Sequence, residues 1–357
     1  MADEALAAGT VTRRELVRRF VKVHRNVYTP RGTELTAMDR AIAAWMWSGR
    51  TATLAGISAA ALFGVRWLPD DSPAELVRTQ PRSPPSGIVV HSGAVDDDDV
   101  CQVRGINCTT PARTAYDLGR YNPFTVGGVI RVDSVLAATG VAVDEIAEIA
   151  RRNPGARNIR RLRRVLAVAD GGAESPQETR LRLLLVRAGF PRPVTQIPIR
   201  NAYGRVVRRI DLGWPQWKVG IEYDGAQHWT DPAQHAGDID RLEFFADLGW
   251  RMVRVSANHL KFNHEGIIRR AWTALTDAAS PADSRRDCSC SHLYSRYAYN
   301  KCSVGGGALC PPIGGQKITC QRIPVAGATT DDCGMESRIR KVALAATSAR
   351  RSSTTTS

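Results

Sequence analysis

The sequence predicts an α+β protein with two folded regions followed by a C-terminal tail. Three observations support this prediction. In residues 1–169, helical periodicities are mixed with short, alternating, strand-like runs. In residues 170–279, the pattern gives the element order αβββαβ. From residue 280 onwards, the periodic patterning ends. The polar joint from Asp170 to Ala173, which contains two glycines, marks the boundary between the two folded regions.

Composition narrows the class of partner. The chain has 357 residues, enough for two or three domains, and a formal net charge of +14. Such a charge favours an anionic partner, most commonly nucleic acid, although an arginine-rich composition can also reflect a GC-rich genome. The sequence contains neither a bilayer-length apolar run nor a secretory signal at its start. We therefore expect a cytoplasmic protein with DNA, and no membrane, as its partner.

The first 35 residues have the pattern of a basic helix followed by a basic hairpin. Thr12 and Glu15 form a capping-box sequence that opens a helix, and strand-like alternation follows from Val21 to a stop at Gly32. This order is typical of a winged helix-turn-helix. In that interpretation, phosphate contacts would come from the basic side chains Arg13, Arg14, Arg18 and Arg25. The alternative is a solvated basic face on a packing domain.

Residues 36–168 read as helices surrounding a strand-rich segment. Helices are predicted at 36–47 and 53–63, strands within 74–110, and further helices from 111 to 168. Thr110 and Pro111 form a strong helix start, with Thr110 as N-cap. The run Asp96 to Asp99 is interpreted as a solvated turn.

The phrases VTRRELVRRF, VHRNVYTPRG, TLAGISAAALFGV and INCTTPARTAYDLGR occur in that order across roughly residues 1–165. Together they resemble the N-terminal region of actinobacterial proteins with an AbiEi-type antitoxin domain. The shared motifs are structural, so the resemblance implies binding to DNA or to a toxin–antitoxin partner without specifying a target.

The stretch from Ile210 to Trp229 carries the chemistry of the second region. It places Asp211, Glu222 and Asp224 on two predicted strands, with Glu222 and Asp224 on the face that also carries Lys218. Carboxylates are depleted in strands and are costly to bury unless paired or bound to a cation. A cluster of oxygen ligands favours Mg²⁺ or Mn²⁺. The alternative is a solvated edge face in which Lys218 pairs with one of the acids.

Four phrases in residues 170–278 recur, in the same order, in a known family. They are SPxE, IDLxWP, EYDGxxHW and LGWRxxRV, which begin here at Ser175, Ile210, Glu222 and Leu248. With the order αβββαβ, they resemble the PD-(D/E)XK superfamily, and more closely a family related to very-short-patch-repair endonucleases. The resemblance implies a restriction-endonuclease-like domain over residues 170–279.

This resemblance also implies roles for individual residues. Asp211 and Glu222 would bind the metal, and Glu178 would be a further ligand or position the water. Asp224 stands where the superfamily often has a lysine, so that lysine cannot orient the water here. His228 would be a general base or acid, or only a surface residue. Candidates for phosphate binding are the arginines Arg180, Arg182, Arg251 and Arg254.

Residues 280–357 are expected to be disordered. They carry six of the eight cysteines, three consecutive glycines and a Ser/Thr/Arg-rich end, without helical or strand periodicity. Since the change coincides with the natural end of a domain, a further hypothesis is that this tail is an aberrant, frame-shifted extension.

The leading functional hypothesis is a metal-dependent DNA endonuclease acting in repair, phage defence or a toxin–antitoxin context. The alternative is a non-catalytic DNA-binding regulator or antitoxin that uses a nuclease-like fold. A third version acts only by protein contact with a toxin–antitoxin partner, and predicts no affinity for DNA in moderate salt.

Overall fold

The computed structural model describes residues 1–78, 83–92, 95–201, 203–225, 241 and 243–279. Across these ranges, helices combine with sheets of two, five and four strands, which confirms the α+β class. His228 and the predicted tail 280–357 lie outside the described residues. In the part of the chain that the structure describes, no helix is long and apolar enough to cross a membrane.

The N-terminal segment contains the predicted helix and hairpin. Its elements are α1 (Ala2–Ala7), α2 (Arg13–Arg19), the antiparallel pair β1 (Phe20–His24) and β2 (Val27–Pro30), and α3 (Ala37–Trp47). The Thr12 hydroxyl accepts from the Glu15 amide at 3.2 Å, so the predicted capping box starts α2. Asn26 takes a left-handed conformation with φ 65°, which closes the hairpin turn.

A five-stranded sheet follows, in the order β5-β4-β3-β7-β6. Its strands are β3 (Thr53–Leu54), β4 (Ala74–Arg78), β5 (Ile88–Ser92), β6 (Val100–Val103) and β7 (Ile106–Thr109), with α4 (Gly56–Leu62) after β3. The predicted helix at 53–63 was therefore wrong at its start. Leu54 pairs with both Leu76 and Cys108, and this buried pairing outweighs helical propensity.

Four helices form the next layer: α5 (Pro111–Tyr121), α6 (Thr125–Thr139), α7 (Val143–Arg152) and α8 (Ile159–Leu166). Thr110 caps α5 through the Arg113 amide, as the sequence predicts. The side chains of Tyr116, Val132, Ile146 and Leu162 form part of one buried apolar cluster. Burial of these faces holds the layer together.

Arg113, in the TTPART phrase, ties this layer to the loop before β6. Its guanidinium donates to Asp99 at 3.1 Å and to Asp117 at 2.9 Å, and Arg152 also donates to Asp99 at 3.1 Å. Asp99 is only 2% exposed. The prediction of a wholly solvated acidic turn was thus wrong for Asp99, which long-range ion pairs keep buried, whereas Asp96 to Asp98 are exposed.

The C-terminal region contains a four-stranded sheet in the order β8-β9-β10-β11. The elements are α9 (Pro176–Arg187), β8 (Val194–Arg200), β9 (Val206–Trp214), β10 (Val219–Asp224), β11 (Arg251–Ser256), α10 (Ala257–Phe262) and α11 (His264–Ala279). β8–β9 and β9–β10 are antiparallel, whereas β10–β11 is parallel. One face packs against α9 and α11 through Leu181, Leu212, Ile221, Val255 and Ile267.

The strand β10 is shorter than predicted. Trp217 closes a turn of 3₁₀-helix, and Lys218 adopts a left-handed conformation with φ 49°. The Lys218 ammonium donates to the carbonyl oxygen of Leu248 at 2.8 Å. Lys218 therefore does not share the strand face of Glu222, because the turn between β9 and β10 ends only at that residue.

A buried ion pair joins α6 to α9. Arg182 donates from Nη2 to Asp133 Oδ2 at 2.7 Å, and the two side chains are 0% and 2% exposed, respectively. The Thr179 hydroxyl and the Asp170 amide also donate to Asp133, at 2.9 and 2.7 Å. Arg182 was predicted as a phosphate contact, and this is wrong because its side chain has no exposed surface.

Substituting Arg182 should destabilise the protein strongly. In Arg182→Ala, Asp133 keeps its burial, which already raises its pKa to about 6, but loses its counterion. We expect the free energy of unfolding to fall by about 3–5 kcal/mol in urea denaturation. Arg187→Ala, at an exposed position of the same helix, is the control and should change it by less than about 0.5 kcal/mol. Equal effects of the two substitutions would contradict this account.

Candidate functional site

Asp211 and the acids of β10 meet where β9 and β10 separate. The paired register of these strands runs from Trp214↔Val219 to Leu212↔Ile221. One step further, the Tyr223 amide donates to the Asp211 carboxylate at 2.8 Å. The Asp211 carboxylate thus takes the place of a backbone carbonyl oxygen as acceptor for the Tyr223 amide. This bond fixes the carboxylate beside β10, the strand that carries Glu222.

The electrostatics of Asp211 place three acids near one point. Burial is the largest cause that raises the pKa of Asp211 to about 7, and the hydrogen bond from the Tyr223 amide opposes it. Repulsion from Glu178 and Glu222 raises this pKa further. Glu178 on α9 and Glu222 on β10 are therefore close enough to Asp211 on β9 for their charges to affect it.

Glu178 also stabilises the start of α9. Its carboxylate accepts from the Ser175 hydroxyl at 2.8 Å, the Glu174 amide at 2.9 Å and the Gln196 amide group at 3.1 Å. The residue is 7% exposed, and burial raises its pKa despite these bonds. The SPxE phrase thus serves as a helix cap and, at the same residue, contributes a charge to the acidic site.

Glu222 has a cationic partner that sequence reasoning missed. Arg241 donates from Nη2 to Glu222 Oε1 at 2.6 Å, while Glu222 is 7% exposed. Arg241 Nε is buried and has no hydrogen-bond partner among the described residues. Arg241 falls in the segment 232–248 predicted as a helix, of which residues 243–247 are helical in the structure. Periodicity gives no signal for an ion pair across 19 residues.

Asp224 is paired across the parallel strands. Arg254 donates from Nη2 to Asp224 Oδ2 at 2.7 Å, and the Arg254 backbone carbonyl accepts from Arg270. Arg254 was proposed as a phosphate contact, and its guanidinium is 34% exposed beside this carboxylate. The position at which the sequence resemblance would place a lysine is therefore an ion-paired acid.

The three acids are not arranged as a preformed cation site. Among the described residues, no group of three or more His, Cys, Asp or Glu side chains is placed to hold a metal ion. Each acid is instead engaged by protein donors: Asp211 by an amide, Glu222 by Arg241, and Glu178 by its three partners. The effect of Glu178 and Glu222 on the pKa of Asp211 shows that these acids are close to it, but not that their oxygens point at one common ion. The donor set, all carboxylate oxygens, matches the chemistry of a hard divalent cation.

The predicted nucleic-acid contacts lie on two surfaces. Exposed positions on α2 and in the following turn are occupied by Arg13, Arg14, Arg18 and Arg25. Arg180 is exposed on α9, donates to Gln177, and is near enough to Tyr223 to act against the burial that raises the pKa of that phenol. Arg180 therefore lies close to the Tyr223 side chain of β10.

The pH dependence of stability should reveal the crowding at Asp211. Its native pKa, about 7, exceeds the ordinary value of 3.8, so the native state binds the proton more tightly than the unfolded state. Stability therefore falls as pH rises from about 4 to 7. Asp211→Asn keeps an oxygen acceptor for the Tyr223 amide and removes the charge. At pH 8 it should be more stable than wild type, by on the order of 2 kcal/mol, and nearly equal at pH 4.

Urea denaturation at both pH values measures this difference, with the exposed substitution Asp277→Asn as control. If Asp211→Asn is less stable than wild type at pH 8, the account in which burial and neighbouring acids destabilise the charged form of Asp211 is contradicted.

The comparisons with known proteins bear on the first region. The family described as AbiEi antitoxin C-terminal domain matches residues 52–168. Two uncharacterized proteins of Mycobacterium tuberculosis, MT2308 of strain CDC 1551 and Rv2248 of strain H37Rv, are each 30% identical over 182 residues. The alignments cover 50% of this chain and 64% of each relative, so the chain spans less than two thirds of their length. No solved structure matches significantly. The AbiEi resemblance is thus confirmed for residues 52–168, a domain associated by its description with antitoxins.

Proposed function

We propose that the chain is a metal-dependent DNA endonuclease of the PD-(D/E)XK type. The observation that carries the proposal is the position of Asp211. It is held on β9 by the Tyr223 amide, close enough to Glu178 and Glu222 for their charges to help raise its pKa to about 7. A buried acid such as Asp211, whose charged form is opposed by burial and by neighbouring acids, is typical of functional sites, because it costs the fold stability.

The sheet topology supports the same proposal. A helix, three antiparallel strands and a fourth strand parallel to the third follow one another in the order expected for a restriction-endonuclease-like domain. The acids lie on the helix and on the two central strands, where the superfamily resemblance assigns them. The strand pairing, unlike the positions of the acids, is independent of the phrases on which the resemblance was first based.

Asp211 and Glu222 would hold Mg²⁺ or Mn²⁺, with Glu178 as a further ligand or as the group that positions water. Such an ion, when bound, stabilises charge on the phosphate and activates water. The Tyr223 amide orients Asp211, and Arg241 balances Glu222 until a cation takes that role. Arg180 and Arg254 are proposed to contact phosphate. His228, proposed as general acid or base, lies outside the described residues.

DNA would also be held by the N-terminal segment. α2 and the β1–β2 hairpin carry the exposed arginines Arg13, Arg14, Arg18 and Arg25, consistent with a winged-helix contact to the phosphate backbone. These contacts would position the duplex without reading its sequence.

A second candidate function is a non-catalytic DNA-binding regulator or antitoxin with a toxin partner. The match of residues 52–168 to the AbiEi antitoxin C-terminal domain favours it. The ion-paired Asp224 in place of a lysine also favours it, because no cationic side chain stands there to orient water. In this version, the acidic site would be vestigial or would bind a structural cation.

Cleavage of supercoiled plasmid separates the two functions. With Mg²⁺ or Mn²⁺, the wild-type protein should nick or linearise the plasmid, and chelator should abolish the reaction. Asp211→Asn/Glu222→Gln should lower the rate at least about 100-fold because the charges that hold the ion are removed. Asp277→Asn, on the exposed end of α11, is the matched control and should cleave normally.

Cleavage should also increase as pH rises through about 7, because Asp211 must lose its proton to bind a cation. If wild type and variant both bind DNA and neither cleaves it, the regulator replaces the nuclease as the better account.

Glu178→Gln distinguishes the two roles of Glu178. Glutamine keeps one oxygen acceptor for the Glu174 amide, and the Ser175 cap on the backbone amide of residue 178 does not depend on this side chain, so the free energy of unfolding should change by less than about 1 kcal/mol. The lost charge should still reduce cleavage at least about 10-fold if Glu178 serves the metal site. Paired denaturation and cleavage assays measure both effects. A stable variant with wild-type cleavage would restrict Glu178 to its structural role as a cap.

A further inference from the structure

In the hairpin formed by β8 and β9, the turn and the first part of β9 are exposed. Successive residues of β9 face opposite sides of the strand, yet Val206 and Val207 are 43% and 44% exposed. Tyr203, beside the turn, is 89% exposed. In contrast, Ile210 and Leu212, further along the same strand, have no exposed surface. The first part of β9, together with the turn before it, therefore forms an exposed ribbon. On the partner strand β8, however, Ile197 and Ile199 are 5% and 7% exposed and pack with Phe245.

This ribbon is strongly basic. No acidic residue occurs from Thr179 to Ile210, while arginines stand at 200, 205, 208 and 209. Arg208 and Arg209 are successive residues of β9, so the ribbon carries positive charge on both faces. Ribbon residues 199 and 198 pair with them across the hairpin.

Two of these arginines have a local role and two do not. Arg200 donates to the Gly204 carbonyl at 2.8 Å, which supports the turn, and Arg209 lies 3.5 Å from Glu174. Within the described residues, the guanidinium groups of Arg205 and Arg208 have no ion-pair partner, and both residues are exposed. Their charge is not needed to fold the hairpin, which suggests an external anion as partner.

We propose that the β8–β9 hairpin is a ribbon that inserts into the major groove of duplex DNA. The major groove of B-form DNA admits a two-stranded ribbon, and a ribbon in a groove meets a phosphate backbone on each side. The exposed Arg205 and Arg208, at the turn and on the first part of β9, would then face phosphates. The major groove of A-form RNA is too narrow and deep to be entered in this way, so duplex RNA is a poor fit.

The position of the ribbon connects it to the acidic site. β9 runs directly from the ribbon into Asp211, and Arg208 precedes Asp211 by three residues, about 10 Å of strand. A duplex seated on the ribbon therefore passes beside the acids. The inference deepens the proposed function in naming double-stranded DNA as the substrate, but the binding itself does not require a metal ion.

Binding of a fluorescent 30-base-pair DNA duplex in chelator tests the proposal with the full chain. Anisotropy titrations from 50 to 300 mM salt give the affinity and its salt dependence. Arg205→Ala/Arg208→Ala should weaken binding about 10-fold at 150 mM salt. It should also reduce the slope of log K against log salt by about 2 in magnitude, one unit for each lost phosphate contact. Arg205→Lys/Arg208→Lys should restore most of the affinity, since the charges return.

The matched control is Arg187→Ala/Arg269→Ala, which removes two exposed arginines from α9 and α11. It should bind DNA nearly as wild type does. An equal loss in both double variants would overturn the proposal, because binding would then follow net charge. Competition by duplex RNA as effective as that by duplex DNA would also overturn it.

The two proposals fail separately. In chelator, Asp211→Asn/Glu222→Gln should bind the duplex at least as tightly as wild type, because two carboxylates that repel phosphate are removed, whatever happens to cleavage. If the wild-type protein shows metal-dependent cleavage and Arg205→Ala/Arg208→Ala binds DNA as wild type does, the ribbon proposal is rejected and the nuclease proposal is retained. If Arg205→Ala/Arg208→Ala weakens DNA binding and the wild-type protein does not cleave DNA, the nuclease proposal is rejected and the ribbon proposal is retained.

Discussion

The ion pair between Asp133 and Arg182 is the constraint on which the acidic site depends. Two opposite charges without solvent contact are costly unless their geometry and hydrogen bonds are satisfied, and here Asp133 receives donors from Arg182, Thr179 and Asp170. Asp133 belongs to the segment that matches the AbiEi antitoxin domain, whereas Arg182 lies one helical turn beyond Glu178. The antitoxin-like layer therefore fixes the position of the helix that brings the first acid to the site.

The site itself works against stability, and its neighbours limit the cost. Asp211 is mostly buried and faces two further carboxylates, so only the Tyr223 amide and the charge of Arg241 lower the energy of its ionised form. Arg241 pairs with Glu222 in the structure, and it would have to move if a cation took its place. A protein that only had to fold would gain by replacing Asp211 with an uncharged residue, which is why this acid points to chemistry or cation binding.

Local signals predicted much of the fold. The capping pairs Thr12–Glu15 and Ser175–Glu178 mark helix starts in the structure, and alternation located the strands of the C-terminal sheet. What failed was non-local. The burial of Arg182, the pairing of Arg241 with Glu222, and the early strand at Leu54 each depend on partners 19 or more residues away. For the site, the sequence identified the acids and their strands, but not the counterions that engage them; the catalytic roles remain predictions.

The double role of Glu178 has a consequence for interpreting relatives of this chain. Selection for a folded α9 would retain an acid at that position even in a lineage that had lost all activity, because the carboxylate holds three donors at the helix start. Asp211 is the opposite case, since keeping a charge there costs stability and only a use for that charge would preserve it. In an alignment, an acid at position 178 is thus weak evidence that a relative is active, whereas an acid at position 211 is strong evidence that its charge is used.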